Sequence, residues 1–107
     1  MSNVTITSPR ESIHYTNEEL ELINSIKNQI NNTIHKKNQE SQKQPSNGIW
    51  MFIAIEINGI LAEKIAKTIV YHLENKHWKH PSYEYRHKEK CQCTIFTFEN
   101  PLAYDIL

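Results

Sequence analysis

Between residues 49 and 99 the spacing of the apolar residues changes along the chain, and this limits the fold more than any other feature. Residues 49–57 form a short, nearly continuous apolar run, which is typical of a strand. From Leu61 to Leu73 the apolar residues recur at helical intervals, and residues 82–87 and 91–99 alternate again. Because these periods distinguish strands from helices, they predict a strand, a helix and a hairpin in that order.

A long helix is predicted ahead of this unit, over residues 17–37. Thr16 and Glu19 have the spacing of a capping box. Apolar residues then follow at helical spacing, at Leu20, Ile23, Ile26, Ile30 and Ile34. His35, Lys36 and Lys37 would lie in the last turn, where basic residues suit the helix dipole. We expect residues 1–107 to form a single domain, with a flexible N-terminus over 1–12 and a polar linker over 38–48.

The order of the strands follows from their polarity. The first strand, over residues 49–57, is apolar on both faces, so we expect cover on both sides. Because a helix connects the first two strands, we expect these strands to be parallel and the crossover between them to be right-handed. The second strand carries Glu84 and Arg86, which suits an edge, so the third strand is placed in the middle. The predicted fold class is α+β, with a small three-stranded mixed sheet of order 1-3-2, two helices and the element order α-β-α-β-β.

The register of the hairpin depends on the length of its loop. A three-residue loop over 88–90 would pair each tyrosine of the second strand with a residue of the third, and would pair His87 with Cys91. One face would then carry Tyr83, Tyr85, His87, Cys91, Cys93 and Ile95. Because the loop has no glycine, the register stays open, and a slip of one residue would exchange the faces of one strand.

The composition indicates in which cellular compartment the protein acts and what kind of genome encodes it. The formal net charge is zero, so no global field directs the protein to nucleic acid or to an anionic membrane. The N-terminus lacks a signal-peptide pattern and the longest apolar run is too short to span a bilayer, so we expect a cytoplasmic protein without a membrane partner. Asn, Ile and Lys are abundant and Lys outnumbers Arg, which is typical of AT-rich coding sequences such as those of many phages and plasmids.

Cysteine and histidine supply the best candidate for a metal site. Cys91 and Cys93 lie two apart on a predicted strand, roughly 7 Å from each other, which is too far for a relaxed disulfide. With His87 they offer zinc-ligand chemistry, but sulfurs at this spacing diverge. Free cysteines are more often small, buried residues of the hydrophobic core than metal ligands. We therefore predict free thiols, no metal and no cofactor.

Enzyme chemistry finds little support in the sequence. The two glycines form no phosphate-binding loop, and Asp105 is the only aspartate. A Cys–His pair would need both adjacency and an accessible cleft to act as a nucleophile. We therefore predict no catalytic residues.

Two kinds of binding surface remain. Cations and aromatic residues interleave over residues 76–90, a pattern that suits single-stranded nucleic acid, at Lys76, Trp78, Lys79, Arg86, Lys88 and Lys90. Strand alternation opposes this interpretation, because it separates Tyr83 and Tyr85 from Arg86. The other surface is the isoleucine stripe of the first helix, at Ile26, Ile30 and Ile34, which would either cover the sheet or contact a partner.

The sequence thus favours a small, non-enzymatic binding protein that modulates a protein partner. Its composition suits an inhibitor encoded by a phage or mobile element, which would act in the host cytoplasm. The alternative is a nucleic-acid-binding module that uses residues 76–90. Sheet edges are also available for strand addition, so a homodimer is compatible with either function.

Overall fold

The computed structural model describes Ile6, Pro9 and residues 12–42 and 49–103. The elements are α1 (Asn17–Gln42), β1 (Phe52–Asn58), α2 (Glu63–Asn75), β2 (Lys79–Lys88) and β3 (Cys91–Glu99), followed by a 3-10 turn at Pro101–Ala103. This order confirms the predicted α+β fold with two helices and three strands. Most of the predicted flexible N-terminus and residues 43–48 of the predicted linker lie outside the described residues.

The sheet has the order β1-β3-β2, so the third strand is central as predicted. β3 pairs antiparallel with both neighbours. β1 and β2 therefore run in the same direction, but β3 separates them and both pairings are antiparallel, so the sheet is antiparallel rather than mixed.

Both helices pack on one face of the sheet. Ile53, Ile55 and Ile57 of β1 are buried on that face, in one cluster with residues of α1, α2 and β3. On the other face Phe52 is 53% exposed and Ala54 is also exposed. The expectation that β1 is covered on both sides was therefore wrong, because neither helix lies on the second face.

The hairpin differs from the predicted register by one residue. The turn contains two residues, Glu89 and Lys90, and it pairs Lys88 with Cys91. Tyr83 consequently lies opposite Phe96, and Tyr85 lies opposite Thr94. This register places both tyrosines on the helix-covered face, where they join the aromatic side chains of β3. The shared face predicted for these tyrosines and Cys93 is thus corrected.

The first helix begins as predicted and ends later. The Thr16 N–H donates to Glu19 Oε1 at 2.9 Å and the Glu19 N–H donates to Thr16 Oγ1 at 3.1 Å, which is a complete capping box. The helix continues through residues 38–42, which were predicted as linker, so His35–Lys37 do not lie in its last turn. No Gly or Pro interrupts residues 38–42, and Trp50 Nε1 donates to Asn38 Oδ1 at 2.7 Å.

An ion pair connects the first turn of α1 to α2. Lys64 Nζ lies 2.8 Å from Glu19 Oε2 and donates to the His14 carbonyl at 3.1 Å. The hydrogen bond from Lys64, with a smaller contribution from the Thr16 N–H, holds the pKa of the Glu19 carboxyl below its usual value. A carboxyl with a lowered pKa stabilises the fold above its unfolded-state pKa, and the stabilisation is lost as pH falls through the folded-state pKa.

A left-handed residue ends α2. The Trp78 N–H donates to the Leu73 carbonyl at 3.2 Å, and the His77 N–H donates to the Glu74 carbonyl at 3.0 Å. These bonds form a Schellman motif, in which His77 occupies the position that glycine usually takes, with φ at 68°. The motif turns the chain so that Trp78 returns towards the helix.

Replacing His77 by glycine is expected to raise the free energy of unfolding by about 0.5–1 kcal/mol. A residue with a side chain loses ~1–2 kcal/mol in the left-handed conformation, and glycine avoids this cost. Glycine also stabilises the unfolded chain through its greater conformational entropy, but only by ~0.4–1 kcal/mol. Urea denaturation followed by circular dichroism measures the change. The matched control is Lys76→Gly, where φ is −94° and a loss of about 0.5–1 kcal/mol is expected. Equal losses at both positions would contradict the assignment of this cap.

Candidate binding groove

A groove lies between α1 and the second half of α2, with Trp78 at one end. Its volume is about 360 Å³. The apolar lining comes from both helices and from the residue that follows the left-handed end of α2. It consists of Ile30, Ile34, Ile69, Leu73 and Trp78. The polar lining consists of Lys27, Asn31, His72, Asn75 and Lys76. The groove therefore combines an apolar surface with amide, imidazole and ammonium groups.

Helical periodicity explains why these residues meet. On α1, Lys27, Asn31 and Ile34 follow one another at intervals of four and three residues, so they share one side of the helix. On α2, Ile69 and Leu73 are related in the same way. Their shared side faces α1, because Ile69 and Leu73 belong to the same buried cluster as Ile30.

The charge of the groove is positive. Lys27 is half-buried and Lys76 is exposed. Among the described residues, neither lysine forms a salt bridge, whereas Lys64 and Lys67 pair with glutamates. An ammonium group next to an apolar surface favours an anionic ligand, because partial desolvation strengthens the attraction.

Trp78 is held in place by other aromatic side chains. Its ring stacks on Trp50, with centroids 5.3 Å apart and planes inclined by 26°, and its centroid lies 5.2 Å from that of Phe98. Trp78 is half-buried in this arrangement. It therefore forms a wall of the groove whose ring is positioned by Trp50 and Phe98.

The isoleucine stripe of α1 is mainly core. Ile26 is 1% exposed and Ile30 is 5% exposed, while Ile34 is half-buried. Ile26 is thus not available as a contact surface in this conformation, because the stripe covers the sheet. However, Ile30 and Ile34 line the groove together with Lys76 and Trp78. The structure therefore joins parts of the two surfaces that the sequence presented as separate.

The other cations of the basic segment lie elsewhere. Lys79 begins β2, whereas Lys88 ends it and Lys90 is in the turn. Lys88 follows Lys79 by nine positions along the strand, a distance of roughly 30 Å. Arg86 Nη2 lies 3.3 Å from Glu84 Oε1, so its charge is partly balanced. Lys88 and Lys90, at the far end of β2 and in the turn, therefore do not form one patch with Lys76.

The candidate metal ligands do not converge. His87 pairs with Gln92, and strand alternation places it on the opposite face from Cys91 and Cys93. In the described ranges, no group of three or more His, Cys, Asp or Glu residues is arranged to hold a metal ion. Both cysteines are free. Burial raises the pKa of the Cys93 thiol, and a hydrogen bond with Glu56 raises it further.

The two thiols are expected to react at very different rates. Cys91 is exposed and Cys93 is 1% exposed. A disulfide reagent at neutral pH should label Cys91 rapidly in the folded protein and Cys93 only after denaturation, because the buried thiol is protonated and inaccessible. Mass spectrometry of a time course measures this. The Cys91→Ser variant, in which only Cys93 remains, is the control. Rapid labelling of that variant would contradict the burial of Cys93.

Comparison with known proteins provides no relative. No protein-family model matches the chain, and no curated protein or solved structure shows a significant similarity to it. In the described part of the chain, no helix has both the length and the apolar character that a bilayer span requires. The geometry of the groove is thus the basis for inferring a function.

Six of the ten residues that line the groove were not among the predicted site residues. They are Lys27, Asn31, Ile69, His72, Leu73 and Asn75. A signal was present in α1, since Lys27 and Asn31 flank Ile30 and Ile34 at helical spacing. It could not be recognised without knowing which side of α2 lies opposite.

Proposed function

We propose that this protein is a non-enzymatic binding protein that modulates a protein partner by accepting an acidic, apolar segment of it in the groove. One observation carries the proposal: Lys27 and Lys76, without salt-bridge partners among the described residues, flank an apolar surface built from both helices. A ligand that matches both features carries a carboxylate beside a large apolar side chain.

The size of the groove supports a short segment of protein as the ligand. About 360 Å³ is at the lower end of the range for ligand pockets, roughly 300–1,000 Å³. This space accommodates a few side chains. The zero net charge of the chain means that attraction to an acidic partner must come from local lysines.

Nucleic-acid binding through residues 76–90 is supported less well. Its cations are divided between the two ends of β2, and Tyr83 and Tyr85 point to the helix-covered face. Tyr85 also donates its hydroxyl hydrogen to the Leu61 carbonyl at 2.8 Å. The aromatic platforms that such a function needs are therefore engaged within the fold.

Three finer predictions accompany this proposal. The protein acts as an inhibitor, it is encoded by a phage or mobile element, and it works in the host cytoplasm. The first two derive from composition and small size. The third is supported by the free thiols of Cys91 and Cys93, since thiols persist in reducing compartments.

A fluorescence titration tests the proposal. The Trp50→Phe variant leaves Trp78, which lines the groove, as the only tryptophan. Two amphipathic peptides serve as probes, identical except that glutamates flank the apolar residues in one and lysines in the other. The acidic peptide should shift Trp78 emission and bind at least about tenfold more tightly, a difference of ~1.4 kcal/mol.

Charge reversal supplies the matched comparison. The Lys27→Glu/Lys76→Glu variant should prefer the basic peptide, whereas Lys88→Glu/Lys90→Glu should bind as the wild type does. Equal binding of both peptides to the wild type, or a loss confined to the hairpin variant, would contradict the proposal. Tight, salt-dependent binding of mixed-sequence RNA that is lost in the hairpin variant would favour the nucleic-acid function instead.

A further inference from the structure

The two edges of the sheet are protected to different degrees. β2 has an irregular register between Lys79 and Ser82 and contains Pro81, and basic side chains occur along it. Such features discourage the pairing of an edge with another strand. β1 has seven residues, Phe52–Asn58, with no proline, no basic residue and regular pairing throughout. Among the described residues only β3 pairs with it. Within the described part of the chain, β1 is thus an open edge.

The hydrogen bonds that flank β1 show which backbone groups face outwards. The Asn100 N–H donates to the Met51 carbonyl at 2.9 Å, and the Gly59 N–H donates to the Gln92 carbonyl at 2.8 Å. Odd-numbered residues of β1 therefore bond to β3, because bonded positions alternate along an antiparallel pair. The outward N–H and C=O groups belong to the even-numbered residues, which are Phe52, Ala54, Glu56 and Asn58.

We propose that this edge pairs with the same edge of a second copy, antiparallel and across a twofold axis at Ile55. This register places Phe52 opposite Asn58 of the second copy and Ala54 opposite Glu56 of the second copy. Even-numbered residues face even-numbered residues, so the outward groups match. Four bonded pairs with two hydrogen bonds each give eight bonds, and no outward group of either strand remains without a partner.

The charge of Glu56 favours an axis at Ile55 over an axis at the next residue. An axis at Glu56 would also match even-numbered residues, but it would oppose the two Glu56 carboxylates directly, which destabilises a strand pair. An axis at Ile55 removes that contact and uses the whole strand. The zero net charge of each copy adds no long-range repulsion.

The association is expected to be weak. Ile53, Ile55 and Ile57 are already buried in the single copy, so pairing adds little burial of them. Phe52, which is 53% exposed, contributes most of the new apolar contact. A small interface of this kind is typical of transient complexes, and we expect a dissociation constant of roughly 1–100 μM.

Sedimentation velocity across this concentration range tests the proposal. The wild type should shift from monomer to dimer. Ala54→Pro removes an outward N–H and leaves the bonds to β3 intact, so this variant should remain a monomer. The matched control is His87→Pro, which removes an outward N–H from the other edge strand and should dimerise as the wild type does. A monomeric wild type at about 100 μM, or loss of the dimer only in the control, would overturn the proposal.

Substitutions that leave the backbone intact test the register. Ala54→Lys places an ammonium opposite Glu56 twice in the dimer and should tighten it by roughly 2- to 30-fold. Ala54→Glu opposes like charges and should weaken it by a similar factor. Amide exchange at high concentration should slow at Phe52, Ala54, Glu56 and Asn58. Equal dimerisation of the two Ala54 variants, or slowed exchange at the β2 edge instead, would overturn the register.

Discussion

Replacing Ile26 by alanine is expected to lower the free energy of unfolding by about 2–5 kcal/mol. Ile26 is 1% exposed and belongs to the buried cluster that joins α1 to the sheet. The loss combines the transfer of the removed atoms with the cavity that remains. Ile53→Ala and Ile65→Ala, on β1 and α2, should have effects of the same size because these residues are equally buried.

Urea denaturation followed by circular dichroism measures these losses, and α1 supplies its own control. Leu22 is on the same helix but is 39% exposed, so Leu22→Ala should cost less than about 1 kcal/mol. Comparable losses at Ile26 and Leu22 would show that α1 does not pack on the sheet through the stripe. The groove, which needs that packing, would then be excluded as well.

Thr94→Val is expected to lower the free energy of unfolding by about 1–3 kcal/mol, although the side chain keeps its shape. Thr94 is 0% exposed. Its Oγ1 donates to the Gly59 carbonyl at 3.0 Å and accepts from the Leu61 N–H at 3.0 Å. Valine can do neither, so two backbone groups at the corner between β1 and α2 would lose their partner.

Thr97→Val is the matched control on the same strand. The Thr97 hydroxyl pairs with Ser82 Oγ at 2.8 Å in an exposed position, where water can replace the bond. Its loss should cost less than about 0.5 kcal/mol, measured in the same denaturation experiment. Equal effects at Thr94 and Thr97 would contradict the role of Thr94 in holding the corner.

Most of the local structure followed from the sequence. The capping box of Thr16 and Glu19, the helix expected from the spacing between Leu61 and Leu73, and the bounds of β3 were predicted correctly. Each depends on interactions between residues close in the chain or on a clear apolar period. The central position of β3 was also confirmed, because its apolar faces contrast with the polar β2.

The wrong predictions concern structural features that the local pattern of apolar and polar residues does not determine. The end of α1 was missed because residues 38–42 are polar but contain no helix-breaking residue, and Asn38 gains a hydrogen bond from Trp50. The hairpin register depended on one residue in a turn without glycine. The prediction that both faces of β1 are covered was wrong because the apolar residues of the strand do not determine on which face of the sheet the helices pack.

The groove was beyond prediction for a similar reason. Its lysines come from different elements, Lys27 from α1 and Lys76 from the cap that follows α2, and the α1 sequence does not specify which face of α2 lies against it. Only the packing of Ile30 against Ile69 and Leu73 in one cluster brings the two helices into the arrangement that forms it.

The most direct test of the proposed function is to locate the bound acidic peptide by nuclear magnetic resonance, with a spin label on the peptide. The groove predicts that the amide signals of Asn31, Ile34 and Asn75 broaden most, and that Lys27→Glu/Lys76→Glu abolishes the broadening. Broadening centred on Glu89 and Lys90 in the hairpin turn, or broadening that persists in the charge-reversed variant, would contradict the proposal.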